Sequence, residues 1–301
     1  MFNTPILFIV FNRPTQTQKV FEQIAALQPK QLFIAADGAR VGNEGDAKNC
    51  PAVRQIVQKV NWPCEVQYLF QENNLGCKNG VVTAIDWFFN QVPAGIILED
   101  DCLPHPDFFN YCAQLLEKYK EDEQVMHIGG TNFQPNDFSI DTDYYYSKII
   151  HVWGWASWSR AWKKYEKELP DYNKQALKEW FDRYQFNKDS LRYWDHAFSM
   201  VQSQSIDTWD YQWTYCLWKH NGLAIIPKHN LVANIGFGND ATHTDKGANS
   251  YANLPIYDLT VKLHPESKKV HQIADNYTFN KWYVKRSLTK RMLDLIKKIT
   301  Q

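Results

Sequence analysis

The first hundred residues alternate two hydrophobic periods, and that alternation leaves few architectures open. Ile6–Phe11 is an unbroken apolar run, the pattern of a strand buried on both faces, whereas Thr15–Leu27 places Val20, Phe21, Ile24 and Leu27 at helical spacing. The strand-then-helix unit recurs: Leu32–Ala36 precedes Ala52–Val60, Val66–Phe70 precedes Asn79–Phe89, and Ile96–Leu98 precedes Pro106–Tyr119. Cys50-Pro51 reads as the start of the second helix, with proline at the first helical position. Each unit is too short to bury a core of its own. Together they predict an α/β chain with a mostly parallel sheet, helices on both faces and right-handed crossovers. Ligands then belong at the carboxyl ends of the strands.

Charge and composition narrow the function classes. Lys and Arg number 33 against 33 Asp and Glu, so the zero formal charge argues against a nucleic-acid binder. The six cysteines (Cys50, Cys64, Cys77, Cys102, Cys112, Cys216) form no CxxC pair, and a core of this size needs no disulfide staples, which points to a reducing compartment. Ile6–Phe11 follows no basic segment and is followed by no small-residue cleavage site, so it is not expected to be a signal peptide. No run approaches the ~20 apolar residues of a membrane span. The expected location is cytoplasmic.

After about Gly130 the rhythm changes. Residues 131–147 are polar and tyrosine-rich, and the helical patterns that come next lack regular strand punctuation. Trp153, Trp155, Trp158, Trp162, Trp180, Trp194, Trp209, Trp213 and Trp218 all fall in this middle third. The sequence therefore divides into residues 1–130, a helical, aromatic-rich lobe over 131–260 packed on the sheet, and a C-terminal extension over 261–301. From Lys281 onward the extension is basic, and Val284, Leu288, Met292, Leu295 and Ile299 form one helical stripe. Such a helix could touch anionic lipid headgroups at the inner face of a membrane; a partner-binding helix or a packed terminus is the other reading.

Each predicted strand ends in polar residues: Asn12-Arg13-Pro14, Asp37-Gly38-Ala39-Arg40, Glu72-Asn73-Asn74-Leu75-Gly76 and Glu99-Asp100-Asp101. No GxGxxG follows the first strand and no GxxxxGK[ST] occurs, which disfavours a dinucleotide or P-loop site. Three adjacent carboxylates at the mouth of a buried strand repel one another, and Mg²⁺ or Mn²⁺ with a diphosphate would relieve that repulsion. An acidic turn capping the next helix is the alternative. Arg13 offers a planar fork to phosphate oxygens or sits in a surface turn. Asp37-Gly38 is also an ordinary turn dipeptide.

The ordered segments PILFIVFNRP, LFIAADGAR, NNLGCKNGVVTAIDWFF and GIILEDDCLPHPDFFNYC resemble the donor half of GT-A fold (Rossmann-like) nucleotide-diphospho-sugar transferases, most of all the inverting N-acetylglucosaminyltransferase I type and its bacterial relatives. The resemblance covers residues 5–130 well and 150–245 more loosely. It implies that 1–130 binds the donor and 131–260 the acceptor. It also implies that Asp101 holds the metal, that Asp100 faces the donor sugar or ribose, and that Glu99 contacts the sugar. Asp37 would meet the base and Arg13 the nucleotide or its phosphates. Lys78, in the first turn of the helix after Leu75-Gly76, could touch the donor or simply be solvated.

On the acceptor side the resemblance makes Asp210, in Thr208-Trp209-Asp210, the base that takes the acceptor proton; a helix N-cap is its other reading. Trp153, Gly154 and Trp155 match a glycine-tryptophan loop that grips sugar and acceptor, while Trp158 and Trp162 read as core on one helix. His243 is placed to serve as a late metal ligand, or is a surface histidine. The expected activity is metal-dependent (Mn²⁺ or Mg²⁺), inverting hexosyl or N-acetylhexosaminyl transfer from a nucleoside diphosphate sugar, with UDP the expected nucleotide. The acceptor would be a saccharide, free or lipid-linked, in glycan or polysaccharide assembly. Two alternatives stand beside it: a catalytically silent carbohydrate-binding protein, and a sugar nucleotidyltransferase, against which the missing Gly-rich loop argues.

Overall fold

Alternate residues of the first strand enter different cores. In β1 (Ile6–Val10), Ile6, Phe8 and Val10 pack with one cluster and Leu7 with another, so the strand is covered on both sides. The structure, a computed structural model, describes residues 1–135, 137–237 and 254–283. The βα units continue as α1 (Pro14–Leu27), β2 (Gln31–Ala36), α2 (Glu44–Val57), β3 (Glu65–Phe70), α3 (Gly76–Phe89), β4 (Ala94–Glu99), β5 (Cys102–Pro104) and α4 (Pro106–Lys118). They match the sequence periods closely, with one difference. Pro51 lies inside α2, because Asn43 caps that helix seven residues upstream of the expected start by accepting the Asp46 N–H.

The remaining elements are β6 (Val125–Gly129), β7 (Tyr144–Ser147), β8 (Trp155–Trp158), α5 (Ser159–Trp162), α6 (Lys174–Arg183), α7 (Leu191–Gln202), α8 (Asp210–Lys219), β9 (Leu223–Pro227), β10 (Val232–Asn234) and α9 (Gln272–Thr278). The central sheet has eight strands in the order β3-β2-β1-β4-β8-β6-β9-β7. The β3-β2-β1-β4 half is parallel; β8 runs antiparallel between β4 and β6, and β7 runs antiparallel to β9. Strands β5 and β10 form a separate antiparallel pair. This is a mixed α/β fold with a mostly parallel sheet flanked by helices.

Two strands of the main sheet, β8 and β9, therefore come from the stretch whose pattern reads as helical, and β7 comes from the polar, tyrosine-rich stretch before it. They are four or five residues long and buried throughout, so no alternation of polar and apolar residues marks them. Trp158 and Trp162 are both core, as expected, but Trp158 closes β8 and Trp162 closes α5, so they do not share a helix. Among the described residues no helix is long and apolar enough to cross a membrane. The basic stripe of Val284–Ile299 lies outside the described residues.

Candidate functional site

Parallel strands stop at one level, and the residues just beyond β1, β2 and β4 line a single cleft of about 500 Å³. Phe11, Asn12 and Arg13 are the whole connection from β1 to α1, so Pro14 starts the helix almost at the strand end. Asp37 comes directly after β2. Glu99 is the last residue of β4, and Asp100 and Asp101 turn the chain into β5.

Arg13 is held by the acidic turn. Its Nη1 donates to Asp101 Oδ2 at 2.6 Å and lies 3.6 Å from Asp100 Oδ1. Asp100 also accepts the Phe11 N–H at 3.1 Å. Burial, reinforced by the charge of Asp101, pushes the Asp100 carboxyl well above the usual carboxylate range, and burial with the charges of Asp101 and Asp100 does the same to Glu99. Burial alone would weaken the Arg13 cation, but the charges of Asp100 and Asp101 outweigh it and raise its pKa. One guanidinium thus faces three carboxylates.

Behind this group the backbone of Gly236 comes so near that a Cβ built there would stand 2.2 Å from Asp101 Oδ2. The Ile235 N–H donates to the Asp101 carbonyl at 2.8 Å, which ties the chain after β10 to the acidic turn. Among the described residues no cluster of three or more His, Cys, Asp or Glu is arranged as a metal site. His243 lies outside the described residues.

Asp37 lines the cleft, but its oxygens are already engaged. Oδ1 accepts from the N–H groups of Gly38 and Leu75, and Oδ2 from Asn74 Nδ2 at 2.9 Å. Burial nevertheless raises its pKa, against those donors and the charge of Arg54. Its evident work is to fix the loop between β3 and α3. Nearby, Arg40 grips the buried Asp46 through Nε at 2.6 Å and Nη2 at 2.9 Å, while Asn12 Nδ2 donates to the same carboxylate at 2.7 Å. The Arg40 guanidinium lies 5.5 Å from the centre of the Phe11 ring, and both residues line the cleft.

The opposite wall comes from the second half of the chain. Trp153 lines the cleft and meets Phe237 edge to face at 5.5 Å. Asp207, Thr208, Trp209 and Asp210 complete this wall. Asp210 is the first residue of α8, and Trp209, not Asp210, is its N-cap. The Asp210 carboxylate accepts the Thr208 hydroxyl, so the capping alternative is removed.

Three expected donor contacts do not reach the cleft. Trp155 is 0% exposed, sandwiched between His127 at 5.2 Å and Trp209 at 5.7 Å, and belongs to the core. Gly154 has φ +63° and packs on Val232 and Leu98, where a Cβ would stand 2.8 Å from Val232 Cγ2. Its carbonyl accepts the Gly130 N–H at 2.8 Å. Lys78 is absent from the wall, and its backbone N–H is spent on Asp207 Oδ1 at 2.9 Å. Arg13, Asp37, Glu99, Asp100, Asp101, Trp153 and Asp210 do converge on the cleft.

Sequence reasoning missed Asp207 and Thr208. A short polar linker gives no local sign of its partner, which for Asp207 is a helix start about 130 residues earlier. The Arg40–Asp46 clamp was also missed, although a charged residue three positions after Asn43 is a helix-start signal.

The sequence matches no protein-family model and no curated protein. Solved structures show distant similarity. The 4-diphosphocytidyl-2C-methyl-D-erythritol synthase of Anaerococcus prevotii is 7% identical, with a TM-score of 0.32 over 60% of this chain and 77% of its own. An apo UDP-glucose pyrophosphorylase is 10% identical, with a TM-score of 0.35 over 74% of this chain and 90% of its own. A UDP-glucose pyrophosphorylase complexed with UDP-glucose is 12% identical, with a TM-score of 0.29 over 54% and 71%. Likeness at this level carries no argument about activity.

Proposed function

We propose that the protein transfers a sugar, with inversion, from a nucleoside diphosphate sugar to a saccharide hydroxyl, with UDP the expected nucleotide and Mn²⁺ or Mg²⁺ the expected ion. One observation carries this reading. A guanidinium and three carboxylates at the strand ends share one cleft with a separate carboxylate at the start of α8. The first group suits a diphosphate and the second an acceptor proton.

The donor chemistry of these residues suits a hard divalent ion, although among the described residues they are not gathered as a ready-made metal site. Their donors are oxygens of three carboxylates grouped about the single guanidinium of Arg13, and such an ion takes one or two protein carboxylates with water and phosphate oxygens for the rest. Asp101 would hold it, with Asp100 beside it facing the donor sugar or ribose, and when bound it supplies charge stabilisation to the departing diphosphate. Arg13 contributes a planar fork for phosphate oxygens. Trp153 offers a ring against the apolar face of a pyranose. Asp210 receives the acceptor proton as the acceptor oxygen bonds to the anomeric carbon and the carbon–diphosphate bond breaks. The hydrogen bond from Thr208 fixes one Asp210 oxygen and leaves the other for that proton.

Sugar nucleotidyl transfer is the second reading. It is the activity named for the UDP-glucose pyrophosphorylases among the distantly similar folds, a likeness that does not choose between the two readings. The three-residue connection between β1 and α1 favours glycosyl transfer, since it leaves no room for a long Gly-rich triphosphate loop. The test is direct. With Mn²⁺, a panel of UDP-sugars and saccharide acceptors to receive the sugar, glycosyl transfer predicts release of UDP, lost in Asp101→Ala and in Asp210→Asn. Pyrophosphate formed from UTP and a sugar 1-phosphate would replace this reading with the second. Turnover in neither assay would leave a silent sugar-binding protein.

A further inference from the structure

Asp207 joins the two walls of the cleft. Its carboxylate accepts the Cys77 N–H at 3.0 Å through Oδ2 and the Lys78 N–H at 2.9 Å through Oδ1, so both oxygens serve the first turn of α3. The partial positive charge at that helix end strengthens the contact. Gly76 makes the approach feasible, since a Cβ there would stand 3.0 Å from Asp207 Oδ2. Asp207 itself is exposed and lies in the linker between α7 and α8, not in the core.

The proposed base, Asp210, stands three residues further along, where the linker ends and α8 begins. Thr208 donates its hydroxyl to Asp210, its carbonyl accepts Gln212 Nε2 at 2.6 Å, and Trp209 stacks on Trp155 at 5.7 Å. The linker is thus attached to the donor side through Asp207 and to the acceptor side through several contacts. We infer that Asp207 is a positioning residue: it clasps the linker to α3 and so sets the distance of Asp210 from a donor bound at the strand ends. The inference rests on glycosyl transfer being the activity of this cleft. A displacement of ~1 Å at a reacting group costs about 10²-fold in rate, so a clasp of two hydrogen bonds is enough to matter.

The experiment compares Asp207→Ala, Asp207→Asn and Asp210→Asn with the native full chain. Turnover is measured as UDP release from UDP-glucose and UDP-N-acetylglucosamine with Mn²⁺ and a panel of saccharide acceptors that receive the sugar, and amide hydrogen exchange is monitored over residues 206–212. Asn173→Ala, which removes the cap of α6 away from the cleft, is the control for lost stability alone. Asp207→Ala should lower kcat about 10–100-fold with donor KM within about 3-fold, and exchange over 206–212 should quicken. Asp207→Asn, which keeps one acceptor, should recover most of the rate. Native kcat in Asp207→Ala while Asp210→Asn is inactive would overturn this inference alone. Equal losses in kcat and thermal stability for Asp207→Ala and Asn173→Ala would reduce Asp207 to a structural cap and also overturn it. Native turnover in Asp210→Asn would remove the proposed base, and this inference with it.

Discussion

Substituting Gly236→Ala adds one carbon against the acidic turn without straining the backbone, because Gly236 does not adopt the left-handed φ that favours glycine. The added Cβ would stand 2.2 Å from Asp101 Oδ2, 2.9 Å from Cγ and 2.8 Å from Asp101 Cβ. Ordinary contact begins at 3.4 Å, so the carboxylate must retreat by roughly 1 Å or the Ile235–Phe237 segment must lift away. Rotating the carboxylate alone does not help, since Asp101 Cβ is also too close. Either movement breaks a contact: the 2.6 Å bond from Arg13 to Asp101, or the 2.8 Å bond from Ile235 to the Asp101 carbonyl. Overpacking of this kind costs ~1–3 kcal/mol, and a 1 Å shift at the diphosphate end costs about 10²-fold in rate. Urea unfolding measures the first quantity. Calorimetric titration with UDP and Mn²⁺, together with UDP-release kinetics, measures the second. Native stability with native UDP affinity and native turnover would refute the packing of Gly236 on Asp101 and the importance of that carboxylate together.

The same geometry sets expectations for stability and for the aromatic wall. Asp46 is held down to about 2, first by the hydrogen bonds from Arg40 and then by those of Asn12, so its contribution is present above its unfolded value near 3.8 and is lost as pH falls toward 2. Asp46→Asn should therefore cost ~1–3 kcal/mol at pH 7, and the gap from the native protein should narrow in urea titrations between pH 4 and pH 2. Trp155→Ala should cost about 3–5 kcal/mol as a cavity in the core. Trp153→Ala should cost less than that but depress turnover, because Trp153 faces the cleft. Unfolding curves and kinetics of the two variants side by side check the pair, and equal stability losses would refute the separation.

The βα periodicity identified the parallel half of the sheet because each of its strands is long enough, and each helix amphipathic enough, to leave a local pattern. The polar residues at the ends of those strands were legible for the same reason. In a parallel sheet every strand end lies on one rim, so Arg13, Asp37 and Glu99-Asp100-Asp101 group together on the sequence pattern alone. Asp210 was legible as a carboxylate near a helix start. Whether it capped that helix or faced a ligand was not, because the choice turns on one hydrogen bond from Thr208.

Tertiary structure decided what has no local trace. Strands of four buried aromatic or small residues, Tyr144–Ser147 and Trp155–Trp158, carry no period, and only their neighbours in the sheet define them. Trp153 and Trp155 stand two residues apart in one motif. One lines the cleft and the other stacks between His127 and Trp209, a difference set by which bodies lie on each side. Asp207 finds Cys77 and Lys78, and Gly236 finds Asp101, across more than a hundred residues. The amino-acid order by itself therefore determined the layered α/β plan and the charged rim, since both arise from short-range pattern. The distances that would turn this rim into a working site came only with folding, because they are contacts between segments whose sequences hold no record of each other.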